Sequence, residues 1–224
     1  MGLDMYLKRM PRYRGATAND ISAVEDYLDW MRAKENGSKY ADCSFEDWCG
    51  RKRIPPMEYV EFYKLCYKKH YSEYDIEHQH PWWYIKEEVG YWRKANQIHN
   101  WFVENIQDGI DDCKYHREVT EEDLRELLYT CATVLNSCEL VEGQICNGYR
   151  YENGEKVPIV ANGKYVKDPT IAKELLPSTS GFFFGGTDYD EYYVEDIKNT
   201  IEIINRVLET TNFDTHMIYY GSSW

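Results

Sequence analysis

The sequence predicts an α+β fold, a small and mainly antiparallel sheet packed by several long helices. Three observations carry that reading. Apolar residues recur at helical spacing through the middle of the chain and near its end. Short alternating stretches lie at the two termini. A glycine-punctuated, strand-like region interrupts the helices after residue 147. Strands and helices are thus segregated along the chain rather than strictly alternating, which is the α+β pattern.

Taken in order, Met1 to Arg9 alternate loosely and stop at Pro11, which predicts a first strand. Asn19 or Asp20 is placed to cap a helix with apolar positions Ile21, Val24, Leu28 and Met31, and Gly37 ends it. Pro55-Pro56 opens a helix in which Tyr59, Phe62, Tyr63 and Cys66 share a face. The strongest helix is expected from about Lys86 to Ile106. Tyr91, Ala95, Ile98 and Phe102 form one stripe, with Trp92, Asn96, His99 and Val103 on its flank. Thr120 caps the next helix, which carries Leu124, Leu127, Leu128, Cys131 and Leu135.

From Asn147 the period changes. Tyr149-Arg150-Tyr151, Val157 to Val160 and Tyr165-Val166, with turns at Asn153-Gly154 and Asn162-Gly163, predict a three-stranded meander over 147–167. A strand over 182–186 is expected to join the N-terminal and C-terminal strands in the sheet. Tyr193, Ile197, Ile201, Ile204 and Leu208 define a final helix, and His216 to Tyr220 a final strand.

The chain has 224 residues, a length suited to a single domain spanning 1–224. Its 21 Tyr, 7 Trp and 7 Phe exclude a disordered chain, which would lack such side chains. No apolar run nears the roughly 18–20 residues that span a bilayer, so no membrane partner is expected. Met1-Gly2-Leu3-Asp4 lacks the basic and apolar regions of a signal peptide. The seven cysteines include no Cys-x-x-Cys pair, and reduced thiols in a cytoplasmic setting are the expectation. A net charge of −13 argues against binding duplex nucleic acid, which needs cations against phosphate. It leaves open a small anion held in a local basic pocket, or a basic protein partner.

Three blocks resemble a family of short, uncharacterised proteins of bacteriophages and related mobile elements. They are Met1-Gly2-Leu3-Asp4-Met5-Tyr6-Leu7, the run from Tyr91 to Val103 (YWRKANQIHNWFV), and Ser180 to Asp188 (SGFFFGGTD). The ending from Tyr219 to Trp224 belongs with them. The likeness covers about half the chain in separate pieces. Residues 37–80, rich in aromatic and basic side chains, and the 147–167 meander then read as insertions. The resemblance implies a phage accessory role in the host cytoplasm, toward host defence or metabolism, and no particular chemistry.

The candidate ligand-binding residues are Trp92, Arg93, Asn96, His99 and Trp101, with Phe182, Phe184 and Thr187 from the second block. Aromatic faces stack on a base, Arg pairs phosphate bidentately, and Asn reads a base edge. Thr187, Asp188 or Asp190 is placed to cap the last helix. Asp108, Asp111 and Asp112 are the alternative metal ligands, although their spacing is not that of an EF-hand. His78 and His80 with Asp75 and Glu77 form a weaker His-x-His pattern. No Gly-x-Ser-x-Gly, P-loop or cysteine nucleophile motif is present.

The reading is therefore a non-catalytic protein, without cofactor, that binds and sequesters a small nucleotide-derived ligand such as a host immune signal. Pockets at subunit interfaces are common in such proteins, which adds a homo-oligomer to the expectations. One alternative is a metal-dependent phosphodiesterase or hydrolase with His99 as acid/base. The other is an acidic, Tyr-rich inhibitor of a basic host defence enzyme.

Overall fold

The computed structural model of the protein describes residues 2–38, 42–70, 82–152, 155–181 and 184–224. The elements run β1 (Asp4–Pro11), α1 (Ala18–Glu35), α2 (Phe45–Cys49), α3 (Met57–Cys66), β2 (Lys68–His70), β3 (Trp82–Tyr84), β4 (Glu87–Arg93) and α4 (Asn96–Ile106). They continue with α5 (Glu121–Ser137), β5 (Leu140–Glu152), β6 (Glu155–Val166), α6 (Thr170–Leu175), α7 (Glu191–Thr210) and β7 (His216–Ser223). The fold is α+β. Strands pair as a three-stranded sheet of order β4-β1-β7 and two antiparallel ribbons, β2-β3 and β5-β6. Among the described residues no helix is long and apolar enough to cross a membrane. All seven cysteines are free thiols.

The chain divides into two compact units. One comprises Met1–Lys8, Glu88–Thr211 and Ile218–Trp224, and the other Arg9–Glu87 and Asn212–Met217. The segment expected as an insertion at 37–80 falls within the second of these. There, α1 begins at a capping box in which Thr17 Oγ1 accepts from the Asp20 N–H and Asp20 accepts in return. Asp20 is therefore the third residue of the first turn, and Thr17 is the cap. Ile21, Val24 and Leu28 bury one stripe of α1, while Val60 and Tyr63 do so from α3. Tyr13 stacks on Phe62 at 4.2 Å between ring centroids, and the Tyr63 hydroxyl donates to the Pro11 carbonyl at 3.0 Å.

The first unit holds the helices that build the site. Helix α5 opens on a second capping box, Thr120 with Asp123, and Arg117 grips the same carboxylate with two N–H groups. Leu124, Leu127, Cys131 and Val134 of α5 and Tyr193, Val194, Ile197, Ile204 and Val207 of α7 are buried at helical spacing. From β1, Leu3, Met5 and Leu7 enter the core on alternate residues.

The segment expected as one helix over 86–106 is two elements. Residues 87–93 form β4, in which Gly90 and Trp92 are buried and Tyr91 and Arg93 exposed. The helical spacing of Tyr91 with Ala95, Ile98 and Phe102 is thus coincidental before Asn96. A Cβ on Gly90 would lie 2.7 Å from Ile203 Cγ2, so the strand needs glycine where it meets α7. Trp92 anchors the same contact, its indole N–H donating to Thr200 Oγ1 at 2.9 Å.

The expected meander is a two-stranded ribbon that begins earlier, at Leu140. Asn162 and Gly163 lie inside β6, opposite Gln144 and Gly143, and not in a turn. Gly163 is there because Ile145 and Glu191 occupy the space its side chain would take. The Asn153-Gly154 turn lies outside the described residues. Register shifts between Cys146 and Tyr149, where Gly148 adopts φ +108° and the strand bulges. Phe184 to Gly186 form no strand, Phe182 and Phe183 lie outside the described residues, and β4 supplies the sheet's third strand.

Candidate functional site

The site is built around the junction of β4 and α4. The chain leaves β4 at Arg93 and turns through Lys94, which takes φ +64°, a left-handed value uncommon for a residue with a side chain. The turn is held by the Lys94 N–H donating to the Leu3 carbonyl at 2.8 Å and by the Asn96 N–H donating to the Lys94 carbonyl at 2.8 Å. Asn96 then clips a second segment onto the helix. Its Nδ2 donates to the carbonyls of Phe184 at 3.2 Å and Gly186 at 2.8 Å, and its Oδ1 accepts from the Thr179 N–H at 2.8 Å. At 2 % exposure Asn96 has no surface left for a ligand. It fixes the loop at Thr179, Phe184 and Gly186, and the loop's described residues form part of the site.

Between that loop, the bulge of β5 and the start of α7 lies a cleft of about 720 Å³, contained within the first unit. Arg93 and Lys94 give it two cations, Tyr149 and Tyr192 two half-exposed aromatic rings, and Asp188 and Asp196 two carboxylates. Arg93 reaches Asp4 at 3.4 Å while its side chain stays largely exposed. Among the described residues Lys94 has no ion-pair partner. Asp190, at the cleft wall, caps α7 by accepting from the N–H groups of Tyr192 and Tyr193, at 3.0 and 3.2 Å. Burial pushes its carboxyl up, and those two N–H groups pull it down. Burial likewise pushes Asp196 up to about 6, against the pull of its hydrogen bond from Gln97.

No family model, no curated protein and no solved structure matches this chain.

Of the residues singled out by sequence, Arg93 lines the cleft with an exposed side chain, and Asn96 and Phe184 border it from buried positions. Trp92, expected beside Arg93 on a helix, is core and 1 % exposed. Trp101 is buried edge-on to Phe102 at 5.3 Å. Thr187 is exposed and neither lines the cleft nor caps α7. Phe182 lies outside the described residues, as do His78, His80, Asp75 and Glu77.

His99 is also spent on structure. Its Nδ1 meets the Tyr220 hydroxyl at 2.6 Å and its Nε2 meets Asp111 Oδ2 at 3.0 Å. Trp224 donates to the other oxygen of Asp111 at 3.0 Å. Tyr220 stacks on Phe102 at 4.1 Å, and burial pushes its hydroxyl well above the ordinary tyrosine range. Phe184 presents its ring edge to His99 at 5.1 Å. With both ring nitrogens engaged and 1 % exposure, His99 does not reach the cleft.

The three aspartates considered for metal face different partners. Asp111 is held by His99 and Trp224, and Asp112 by Lys114 and His116 at 2.8 Å each. Asp108 sits in a left-handed turn after α4. Among the described residues no group of three His, Cys, Asp or Glu side chains is placed to hold a metal ion.

Sequence reasoning missed Lys94, Gln97, Tyr149, Tyr192 and Asp196. Lys94 had a usable signal, since it adjoins Arg93. Gln97 likewise adjoins Asn96, whereas Tyr149, Tyr192 and Asp196 come from segments that only the tertiary fold brings together.

Proposed function

We propose that the protein binds a small nucleotide-derived ligand in the cleft of its first unit and holds it without transforming it. The observation that supports this most is the juxtaposition of Arg93 and Lys94, the latter unpaired among the described residues, with the rings of Tyr149 and Tyr192 in one cavity. A phosphate fits the cations, and a base stacks on a tyrosine. Against the net charge of −13 the cations offered to a phosphate among the described residues are Arg93 and Lys94 alone, and they share the cleft with the carboxylates of Asp188, Asp190 and Asp196. The cavity is of the size that small ligands occupy, between roughly 300 and 1,000 Å³.

Sequestration is favoured over hydrolysis because the imidazole expected to act as acid/base is His99, which lies behind Phe184 with both nitrogens occupied. The resemblance to phage accessory proteins then frames the ligand as a host immune signal withdrawn from solution.

The test is a thermal-shift screen against cyclic and linear nucleotides, with the ligand recovered afterwards. At 100 times its Kd a ligand that binds only the folded chain adds about 2.7 kcal/mol of stability. Replacing Arg93 and Lys94 together by Ala is expected to weaken binding by about 2–4 kcal/mol. Stability of the unliganded chain should change by no more than about 0.5 kcal/mol. Recovery of a cleaved nucleotide overturns sequestration, and the absence of any shift overturns the nucleotide.

A further inference from the structure

We infer that Asp196 reads the base of that ligand, and that the base is of the guanine type, presenting two adjacent N–H donors. This rests on the nucleotide reading above and narrows it.

The three carboxylates at the cleft are not equivalent. Asp188 is exposed, and the Asp190 side chain is occupied by the backbone of Tyr192 and Tyr193. Asp196 lines the cleft from the second turn of α7 and receives one side-chain hydrogen bond, from Gln97 Nε2 to Oδ2 at 3.2 Å. Gln97 is 2 % exposed, which fixes that side of the carboxylate. Among the described residues Oδ1 accepts no hydrogen bond, and Asp196 has no ion pair. The cleft thus contains a firmly held acceptor with spare capacity, and Gln97, which holds it, lies three residues after Lys94.

An ionised carboxylate accepts and cannot donate. Guanine offers N1–H and the 2-amino group side by side, and both can be accepted by one carboxylate. Hypoxanthine keeps only N1–H. Adenine alternates a donor with the N1 lone pair, which would face the carboxylate oxygen and leave it unpaired. A site with a polar group that must be satisfied discriminates strongly against a ligand that cannot satisfy it. Burial raises the affinity of Asp196 for a proton, so an N–H donor also relieves an acceptor short of solvation.

The experiment is calorimetric titration of the full chain with guanosine, inosine and adenosine monophosphates and with ribose 5-phosphate, on the wild type and on Asp196→Asn. Guanosine monophosphate should bind tightest, the inosine form about 10-fold more weakly and the adenosine form about 100-fold more weakly. Asp196→Asn should weaken the guanosine form about 10–100-fold and leave ribose 5-phosphate unchanged, since the phosphate end is untouched. Equal wild-type affinity for guanosine and adenosine monophosphates overturns the assignment while sparing the nucleotide reading. So does an Asn variant that preserves the preference. Failure of every nucleotide to bind overturns both. The wild-type ranking decides the matter even if the variant does not fold.

Discussion

Two regions at the same helix use the same kinds of side chain in opposite ways. Just before α4, Arg93 and Lys94 face a cleft in which the Asp196 carboxylate keeps an oxygen that accepts no hydrogen bond among the described residues. Further along, the His99 imidazole is closed between Asp111 and Tyr220, with Trp224 completing the carboxylate's partners. From residue types alone the second region is the more suggestive, since Asp, His and Tyr in one chain of hydrogen bonds look like a proton relay. What separates them is unused bonding capacity. Every polar atom of the His99 ring is satisfied and shut away from water, which is how a buried polar group contributes to stability. Chemistry-bearing residues mark a site only where some of their capacity is left over.

The largest effect should come from breaking the closed region. His99→Ala leaves Asp111 and the Tyr220 hydroxyl without their shared partner and opens a cavity against the rings of Phe184 and Tyr220. A loss of about 3–5 kcal/mol is expected in denaturant unfolding, a fall in Tm of roughly 8–15 °C for a chain of this size. A variant that keeps its stability but loses ligand would collapse the distinction between the two regions. Asn96→Ala sits between them and is expected next in size. It removes the hydrogen bonds that tie Thr179, Phe184 and Gly186 to α4, at about 2–4 kcal/mol. The Thr179 amide should then exchange with solvent faster than the core amides of α4. Ligand binding should fall along with it, because one wall of the cleft loosens.

How far the sequence reveals the molecule depends on the range of the interactions involved. Helices α5 and α7 are legible because caps and apolar spacing are local: Thr120 with Asp123, Asp190, and the stripe Tyr193, Ile197, Ile204 all stand where the pattern puts them. The segment 86–106 misleads because Tyr91, Ala95, Ile98 and Phe102 keep helical spacing across a strand-to-helix junction, and tertiary contact overrides it. Gly90 under Ile203 and Trp92 on Thr200 fix the strand. Asn162-Gly163 carries the commonest turn signal yet lies mid-strand, for the glycine answers a close approach. The site is the least legible part. Its walls come from segments near 93–97, 146–149, 178–188 and 192–196, and Asp196 reads in sequence as one more carboxylate on the solvated face of an acidic helix. Only its packing against Gln97 shows otherwise.

The smallest effect concerns that carboxylate without ligand. The ordinary aspartate value is 3.8, and burial raises Asp196 to about 6 in the folded chain. The folded state therefore binds this proton more tightly than the unfolded state, so protonation favours folding. The sign follows from linkage: this group's contribution is fully present below about pH 4 and is lost as pH rises through about 6. At pH 7 the ionised carboxylate is a burden of about 1–3 kcal/mol, and Asp196→Asn should remove much of it. The variant should be the more stable chain at pH 7, by about 1–2 kcal/mol. Its advantage should shrink steadily between pH 6 and pH 4. Taking the difference between the two stability curves cancels the titration of all the other carboxylates. A difference that is flat from pH 7 to pH 4 would mean that Asp196 is solvated like the exposed acids around it, and that the cleft holds no acceptor starved of partners. A difference that closes as expected would set Asp196 apart from His99 once more. One is a strained group whose removal stabilises the unliganded chain, and the other a satisfied group whose removal unfolds it, as expected where stability is given up for binding.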